Sequence, residues 1–177
     1  MTEFSETVQW AGRGKRKRLR IRAWVMLLFA LAAILFQAYA PLYLSVLSYI
    51  ELPLLLTVYL AMTGRSQVAG IFIGAGIGLA QDALSHDPLG VLGIVKTLTG
   101  YVAASLGVRL DTDNLLIRFG LGFLFFVCHE VLHWVLRRAL LGEAISIGIL
   151  STFLAGVVNG ALAVLLFHLL DKLRENG

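Results

Sequence analysis

Six long apolar runs, separated by short polar junctions, dominate the chain. They cover residues 23–40, 44–62, 68–84, 89–108, 115–136 and 145–170. A helix needs about 20 mostly apolar residues to cross the ~30 Å hydrocarbon core of a bilayer. The pattern therefore predicts an all-α, polytopic integral membrane protein with six transmembrane helices. Glu51 and Pro53 interrupt the second run. It is the weakest of the six, because its first third is polar and is expected to lie at the interface.

The polar segments at the two ends suggest a simple domain organisation. We expect residues 1–22 to form a disordered basic tail, residues 23–172 a single six-helix transmembrane domain, and residues 173–177 a short tail. With the amino terminus inside, twelve of the fifteen lysines and arginines lie on the cytoplasmic side. Since cytoplasmic flanks carry the excess of positive charge, the sequence predicts that both termini are cytoplasmic.

The composition agrees with a membrane protein and excludes other classes. Hydrophobic residues make up 58% of the 177 residues and charged residues 15%, against about 45–50% and 25% in soluble domains. Cys128 is the only cysteine, which excludes an internal disulfide. The net charge of +4 does not indicate nucleic acid, because seven basic residues directly precede the first apolar run. We expect these seven to contact anionic lipid head groups: Arg13, Lys15, Arg16, Lys17, Arg18, Arg20 and Arg22.

Small residues recur every four positions in the third and sixth predicted helices. Such stripes let helix backbones approach closely in lipid, where packing drives association. We expect these two helices to make tight contacts, with each other or with a partner, plain packing within the chain being the simpler account. The residues assigned to packing or partner contact are Gly70, Gly74, Gly78 and Asp82 in the third helix, and Gly148, Gly156, Asn159 and Gly160 in the sixth.

Asp82 and Lys96 are charged residues at membrane depth, where each needs a physical reason. Asp82 lies one turn from the end of the third run, and Lys96 lies about two turns into the fourth. Because the two runs would form an antiparallel hairpin, the sequence predicts an intramembrane ion pair between them. A proton or ion relay is the functional alternative, but it lacks a further carboxylate in the same span.

His129, Glu130 and His133 form a literal HExxH motif inside the fifth run. On a helix this spacing puts both imidazoles on one face, where they can bind Zn²⁺ while the glutamate acts as general base. A catalytic zinc also needs a third protein ligand and an open position. Asp82 or His86 lies at a suitable depth, but no complete ligand set is visible in the sequence. We therefore predict no catalytic residue, no metal and no cofactor.

Three stretches of the sequence have a distinctive order and spacing. Residues 51–61 read ELPLLLTVYLA, residues 78–85 read GLAQDALS and are followed by PLG at 88–90, and residues 157–160 read VVNG. Together they resemble the family of the rod shape-determining protein MreD, over about residues 52–173. The HExxH motif departs from the family pattern, and the family is not known for enzymes.

The resemblance implies a non-enzymatic scaffold of the bacterial elongation machinery, or elongasome, in the inner (cytoplasmic) membrane. It would organise peptidoglycan synthesis and maintain rod cell shape through helix–helix contacts with MreC and wall synthases. MreB, RodA and a penicillin-binding transpeptidase are further implied partners, besides membrane lipid. Two alternatives stay open: a small-solute-binding subunit like that of energy-coupling-factor transporters, using the outer ends of helices two to four, and an intramembrane zinc metalloprotease using the HExxH motif.

Overall fold

The computed structural model describes residues 23–64, 66–85, 88–110, 114–142 and 148–175, and its regular elements there are all helical. The helices are α1 (Ala23–Tyr43), α2 (Leu52–Gly64), α3 (Gln67–Leu84), α4 (Val91–Gly107), α5 (Leu115–Leu141) and α6 (Ile149–Glu175), with a short 3-10 helix (Ser45–Tyr49) before α2. By length and composition, five segments are suited to cross a membrane, and α4 is a shorter apolar helix. The described residues therefore confirm an all-helical fold that is consistent with a polytopic membrane protein, and the expected six full-length spans reduce to five and one shorter helix.

The second predicted run is divided rather than continuous. The 3-10 helix ends at Tyr49, Ile50 is extended, and α2 begins at Leu52. Pro53 lies in the first turn of α2, where a missing backbone N–H costs nothing. The interruption at Glu51 and Pro53 is thus the start of a helix.

The short helix α2 occupies the centre of the bundle. Its residues from Pro53 to Met62 are all buried, and it contacts each of the other five α-helices. A helix that is apolar on every side belongs in such a fully surrounded position. Its side chains therefore form the middle of the core, together with Ala103 and Ala104 of α4, Phe125 of α5 and Phe167 of α6.

Helices α3 to α6 form two hairpins beside α2. Helix α3 packs along α4, and α5 packs along α6. We call the end of the bundle where α3 stops and α4 starts the hairpin end, and the end where α1 starts and α6 stops the terminal end. Gly90, with φ +101°, precedes α4, and Gly142, with φ +67°, follows α5. Both positions need the left-handed backbone conformation that glycine adopts without strain.

The glycine stripes serve these two hairpins. A Cβ at Gly74 would collide with the carbonyl oxygen of Lys96, and one at Gly78 would lie 2.5 Å from the carbonyl oxygen of Leu92. The third helix therefore packs on the fourth. Gly70 belongs to the same contact, since a Cβ there would strike Gly100 of α4.

The stripe on the sixth helix packs on the fifth. A Cβ at Gly156 would lie 2.9 Å from Phe123, and one at Gly160 would lie 3.0 Å from Phe119. Both stripes therefore pack within the chain, which is the simpler of the accounts expected, but helices three and six pack on their hairpin neighbours and not on each other. Gly148 does not belong to either contact, because it precedes α6 and a Cβ there would meet only Ser151 of the same segment.

Candidate functional site

Asp82 caps the amino terminus of α4. Its Oδ2 accepts hydrogen bonds from the backbone N–H groups of Gly90 and Gly93, both at 2.9 Å, and its Oδ1 accepts one from Leu92 at 3.1 Å. The side chain is 1% exposed. The first N–H groups of a helix lack partners within it, and the helix dipole favours a negative charge there. This carboxylate therefore fixes the turn between α3 and α4.

Lys96 lies at the centre of the bundle and pairs with Glu51, not with Asp82. Its Nζ is 3.5 Å from Oε2 of Glu51, and its side chain is fully buried. The predicted Asp82–Lys96 ion pair is thus wrong, since the carboxylate of Asp82 faces the backbone amides of α4. Glu51 comes close because the chain breaks before α2, which brings the start of that helix beside α4.

The Lys96 ammonium also contacts the first histidine of the HExxH motif. Its Nζ lies 3.3 Å from Nε2 of His129, which is 1% exposed. An ammonium only donates, so Nε2 accepts and the hydrogen of this imidazole is inferred to lie on Nδ1. Nδ1 lies 3.6 Å from Oε1 of Glu130. A row of polar side chains thus runs from Glu51 through Lys96 and His129 to Glu130.

This geometry does not favour the zinc interpretation of the motif. A zinc ligand needs a free ring nitrogen, yet Nε2 of His129 faces an ammonium. The imidazole rings of His129 and His133 stack on each other, with their centroids 6.1 Å apart. No group of three His, Cys, Asp or Glu suited to a metal exists among the described residues, and Asp82 is engaged with backbone amides. His86 lies outside the described residues.

Asn159 attaches the start of α2 to α6. Its Oδ1 accepts a hydrogen bond from the backbone N–H of Glu51 at 2.9 Å, and its Nδ2 donates to the carbonyl oxygens of Tyr49, at 2.6 Å, and Ala155, at 2.9 Å. Gln37 of α1 adds a further contact, donating from Nε2 to Oε1 of Glu51 at 3.2 Å. The break between the 3-10 helix and α2 is therefore supported from α1, α4 and α6. We call Gln37, Glu51, Lys96, His129 and Asn159 the central polar cluster.

A second polar contact joins the helices at the terminal end. Arg118 of α5 forms an ion pair with Asp171 of α6, at 2.5 Å between Nη2 and Oδ2. The hydroxyl of Tyr59, on α2, donates to Oδ1 of the same carboxylate at 2.8 Å. This contact holds the central helix against the α5–α6 hairpin.

A cavity of about 330 Å³ lies at the hairpin end, between the 3-10 helix, α5 and the start of α6. Its position differs from that expected for a solute-binding subunit, at the outer ends of helices two to four. Glu130, at the end of the row from Lys96, faces the cavity. Its polar walls include Ser48, Glu130, His133, Arg137, Ser151 and Thr152.

Sequence reasoning missed several of these residues and reached others for a different reason. The run pattern treats Glu51 only as an interruption, although an acidic residue inside an apolar segment is itself a signal of an intramembrane partner. Arg118 and Asp171 were not paired, because they lie 53 positions apart. Asn159 was identified as a helix-contact residue, and the structure places it in the central polar cluster. The seven basic residues assigned to lipid lie outside the described residues.

A family model describes this chain over most of its length. The model of the rod shape-determining protein MreD matches residues 17–173. No curated protein and no solved structure matches the chain. The matched segment includes both the central polar cluster and the cavity.

Proposed function

Because this chain belongs to the MreD family of rod shape-determining membrane proteins, we propose that it is a non-enzymatic scaffold of the bacterial elongation machinery. In this role it holds membrane partners together and so organises peptidoglycan synthesis along the cell body. Family membership supports the role in cell shape. The bundle of apolar helices supports a multi-pass location in the inner membrane.

The main support for the proposal is that the polar side chains in the interior are paired with other groups of the chain. Asp82 caps α4, Lys96 joins α4 to the start of α2, and Asn159 joins α6 to the same point. All three side chains are at most 1% exposed. Polar groups at membrane depth are costly unless they are paired. These residues therefore stabilise one arrangement of helices. Their side chains are not accessible to a substrate, which agrees with a scaffold.

The contact with MreC and the wall synthases uses faces other than the glycine stripes. The glycines of α3 pack on α4 within the chain, so they are not available to a partner helix. Helix α1 is the least buried of the five spanning segments, since only 11% of its apolar stretch is buried in the bundle. We therefore place the MreC contact on the exposed apolar face of α1, which includes Leu27 and Leu31. MreB, RodA and a penicillin-binding transpeptidase would join through the same assembly.

We propose that both termini lie in the cytoplasm, with the hairpin end outside. The positive-inside rule supports this orientation, since the basic residues of the tail precede α1. In that position the tail contacts anionic lipid head groups. A fluorescent protein fused after Gly177 should fold and fluoresce, whereas alkaline phosphatase at the same position should stay inactive. The reverse result would overturn the orientation.

Depletion of the protein in its rod-shaped host tests the scaffold role. Cells that lack it should widen and lose the ordered pattern of lateral wall growth, and the intact chain should restore both. Retention of rod shape after full depletion would contradict the proposal. The zinc content of the purified protein tests the protease alternative, which requires about one zinc per chain.

Crosslinking from single positions tests the partner face. A photoreactive amino acid at Leu27 or Leu31 of α1 should capture MreC, while the same group at Phe72 of α3, which is also exposed on the surface of the bundle, serves as the matched control. Capture from Phe72 with none from α1 would move the interface to the α3 face. Capture from neither helix would contradict a direct contact on these faces.

A further inference from the structure

The cavity at the hairpin end is a pocket that closes toward the interior of the bundle. Phe126 and Ala155, at its inner end, are buried, whereas Ser48 and Ser151, at its outer end, are exposed. The lining residues of α5 lie on one face of the helix, at spacings of three and four: Phe126, Glu130, His133, Trp134 and Arg137. This stripe of eleven residues extends about 16 Å along the helix axis. The pocket therefore opens at the hairpin end, and its floor lies near the middle of α5.

Glu130 lies near the floor of the pocket, one turn of α5 from Phe126. Its side chain is 35% exposed, and its Oε1 lies 3.6 Å from Nδ1 of His129. No lysine or arginine among the described residues lies within ion-pair distance of this carboxylate. Arg137 lies two turns nearer to the mouth of the pocket and has an interaction of its own. The carboxylate of Glu130 is therefore accessible from the pocket without a cation beside it.

The row of polar groups that ends at Glu130 carries a net negative charge. Glu51 and Glu130 provide two carboxylates, while Lys96 provides one ammonium, which is paired with Glu51 at 3.5 Å. His129 accepts a hydrogen bond from this ammonium through Nε2, so its ring is neutral. One negative charge is thus left without a counterion, at the end of the row that faces the pocket. Charged groups at membrane depth are costly unless they are paired, so a cation would complete this site.

The lining of the pocket suits an organic cation better than a metal ion. The described residues provide no group of three His, Cys, Asp or Glu that could hold a metal. The volume of about 330 Å³ falls in the range of small-ligand pockets, about 300–1,000 Å³. Tyr49, Phe126 and Trp134 line the pocket together with Glu130. Aromatic rings attract ammonium groups, and they also provide an apolar surface for the rest of an organic ligand.

From these observations we infer that the pocket binds a small, soluble organic cation that carries a primary ammonium group. The ammonium donates hydrogen bonds to the carboxylate of Glu130, near the floor. The apolar part of the ligand lies against Tyr49 and Trp134. The ligand enters from the aqueous side at the hairpin end, where the pocket opens. This binding site is additional to the scaffold role and does not depend on it.

Three probes of similar shape test the proposal. Benzylammonium carries the positive charge, benzyl alcohol is its neutral analogue, and phenylacetate is an anionic analogue. The full chain in phosphatidylcholine nanodiscs should bind radiolabelled benzylammonium saturably, above the background of empty nanodiscs. The other two probes should compete at least about tenfold more weakly, because a tenfold ratio corresponds to ~1.4 kcal/mol, the scale of one hydrogen bond to a charged group. Absence of saturable binding, or equal competition by benzyl alcohol, would overturn the proposal.

Substitutions in the lining locate the binding in the pocket. Glu130→Gln removes the negative charge with little change in shape and should weaken the binding of benzylammonium about tenfold or more. Glu130→Asp keeps the charge and should bind more tightly than Glu130→Gln. Thr152→Leu, on the α6 wall, occupies part of the pocket without changing any charge and should also weaken binding. Val131→Ala, next to Glu130 and 43% exposed, is the control and should bind as the intact chain does.

The unfolding midpoints of the variants separate loss of the site from loss of the fold. If Glu130→Gln and Thr152→Leu melt at the temperature of the intact chain and bind benzylammonium fully, the pocket is not the site. If Glu130→Gln does not fold, Thr152→Leu decides, since it leaves every charge in place, and undiminished binding would overturn the proposal. These measurements use purified protein, so failure of this inference is distinguishable from failure of the proposed role in cell shape.

Discussion

Nζ of Lys96 lies 3.5 Å from Oε2 of Glu51, in the interior of a helical bundle. Glu51 stands at the break before α2, and Lys96 stands in the second turn of α4. The pair therefore fixes the position of the central helix against the α3–α4 hairpin.

Removal of Lys96 should strongly destabilise the protein. Lys96→Met leaves the carboxylate of Glu51 without its cation, and loss of one member of a buried ion pair costs about 3–5 kcal/mol. Thermal unfolding in detergent should show a clear fall in the midpoint. The double variant Glu51→Gln/Lys96→Met should recover part of the loss, because no buried charge is left unpaired. Lys172→Met, at an exposed position of α6, is the control. Equal midpoints for the single and double variants would argue against the pair.

Exchange of the charges at positions 82 and 96 should not rescue the protein. Asp82→Ala leaves the N–H groups of Gly90, Leu92 and Gly93 without their acceptor, and each lost bond to a charged group costs about 1.5–3 kcal/mol. Asp82→Lys/Lys96→Asp should be at least as unstable as either single change, because a lysine cannot accept from amides. Membrane protein level and unfolding midpoint measure the effect. Recovery in the double variant would restore the direct ion pair as the correct interpretation.

Gly74 and Gly76 form a matched pair on one helix. A Cβ at Gly74 would strike the backbone of α4, whereas one at Gly76 would meet nothing within 4 Å. Gly74→Ala should therefore cost about 1–3 kcal/mol by overpacking. Gly76→Ala should be neutral or stabilising by up to about 1 kcal/mol, since alanine favours the helix. The unfolding midpoints of the two variants decide the matter. A larger loss from Gly76→Ala would mean that α3 presents a different face to α4.

Substitution of Asn159 should destabilise the protein more than the size of its side chain suggests. Asn159→Ala removes the partners of the Glu51 N–H and of the Tyr49 carbonyl oxygen, and each interhelical hydrogen bond in a membrane contributes about 0.6–2 kcal/mol. We expect a lower unfolding midpoint and faster amide exchange at residues 49–51. Val158→Ala, at a lipid-exposed neighbour, should leave both unchanged. Unchanged exchange in Asn159→Ala would show that the chain break does not depend on α6.

Much of the fold could be predicted from the residues alone. The lengths of the apolar runs predict helices, because a bilayer leaves the backbone almost no other way to satisfy its hydrogen bonds. The resemblance to the MreD family is confirmed by the family match over residues 17–173. The glycine stripe of α3 was identified as a packing surface, since repeated small residues serve that purpose in membranes.

The partners of the polar residues had to come from the three-dimensional arrangement. The sequence pairs Asp82 with Lys96 wrongly, because charges and spacing do not show which way a carboxylate faces, and nearby backbone amides compete for it. Glu51 reaches Lys96 only because the chain breaks at Ile50 and α2 begins inside the bundle. Such contacts join residues far apart in the chain, and their geometry depends on how all the helices pack at once. The periodicity of the sequence shows which faces of a helix are apolar. The packing of the helices determines which residues lie against each face.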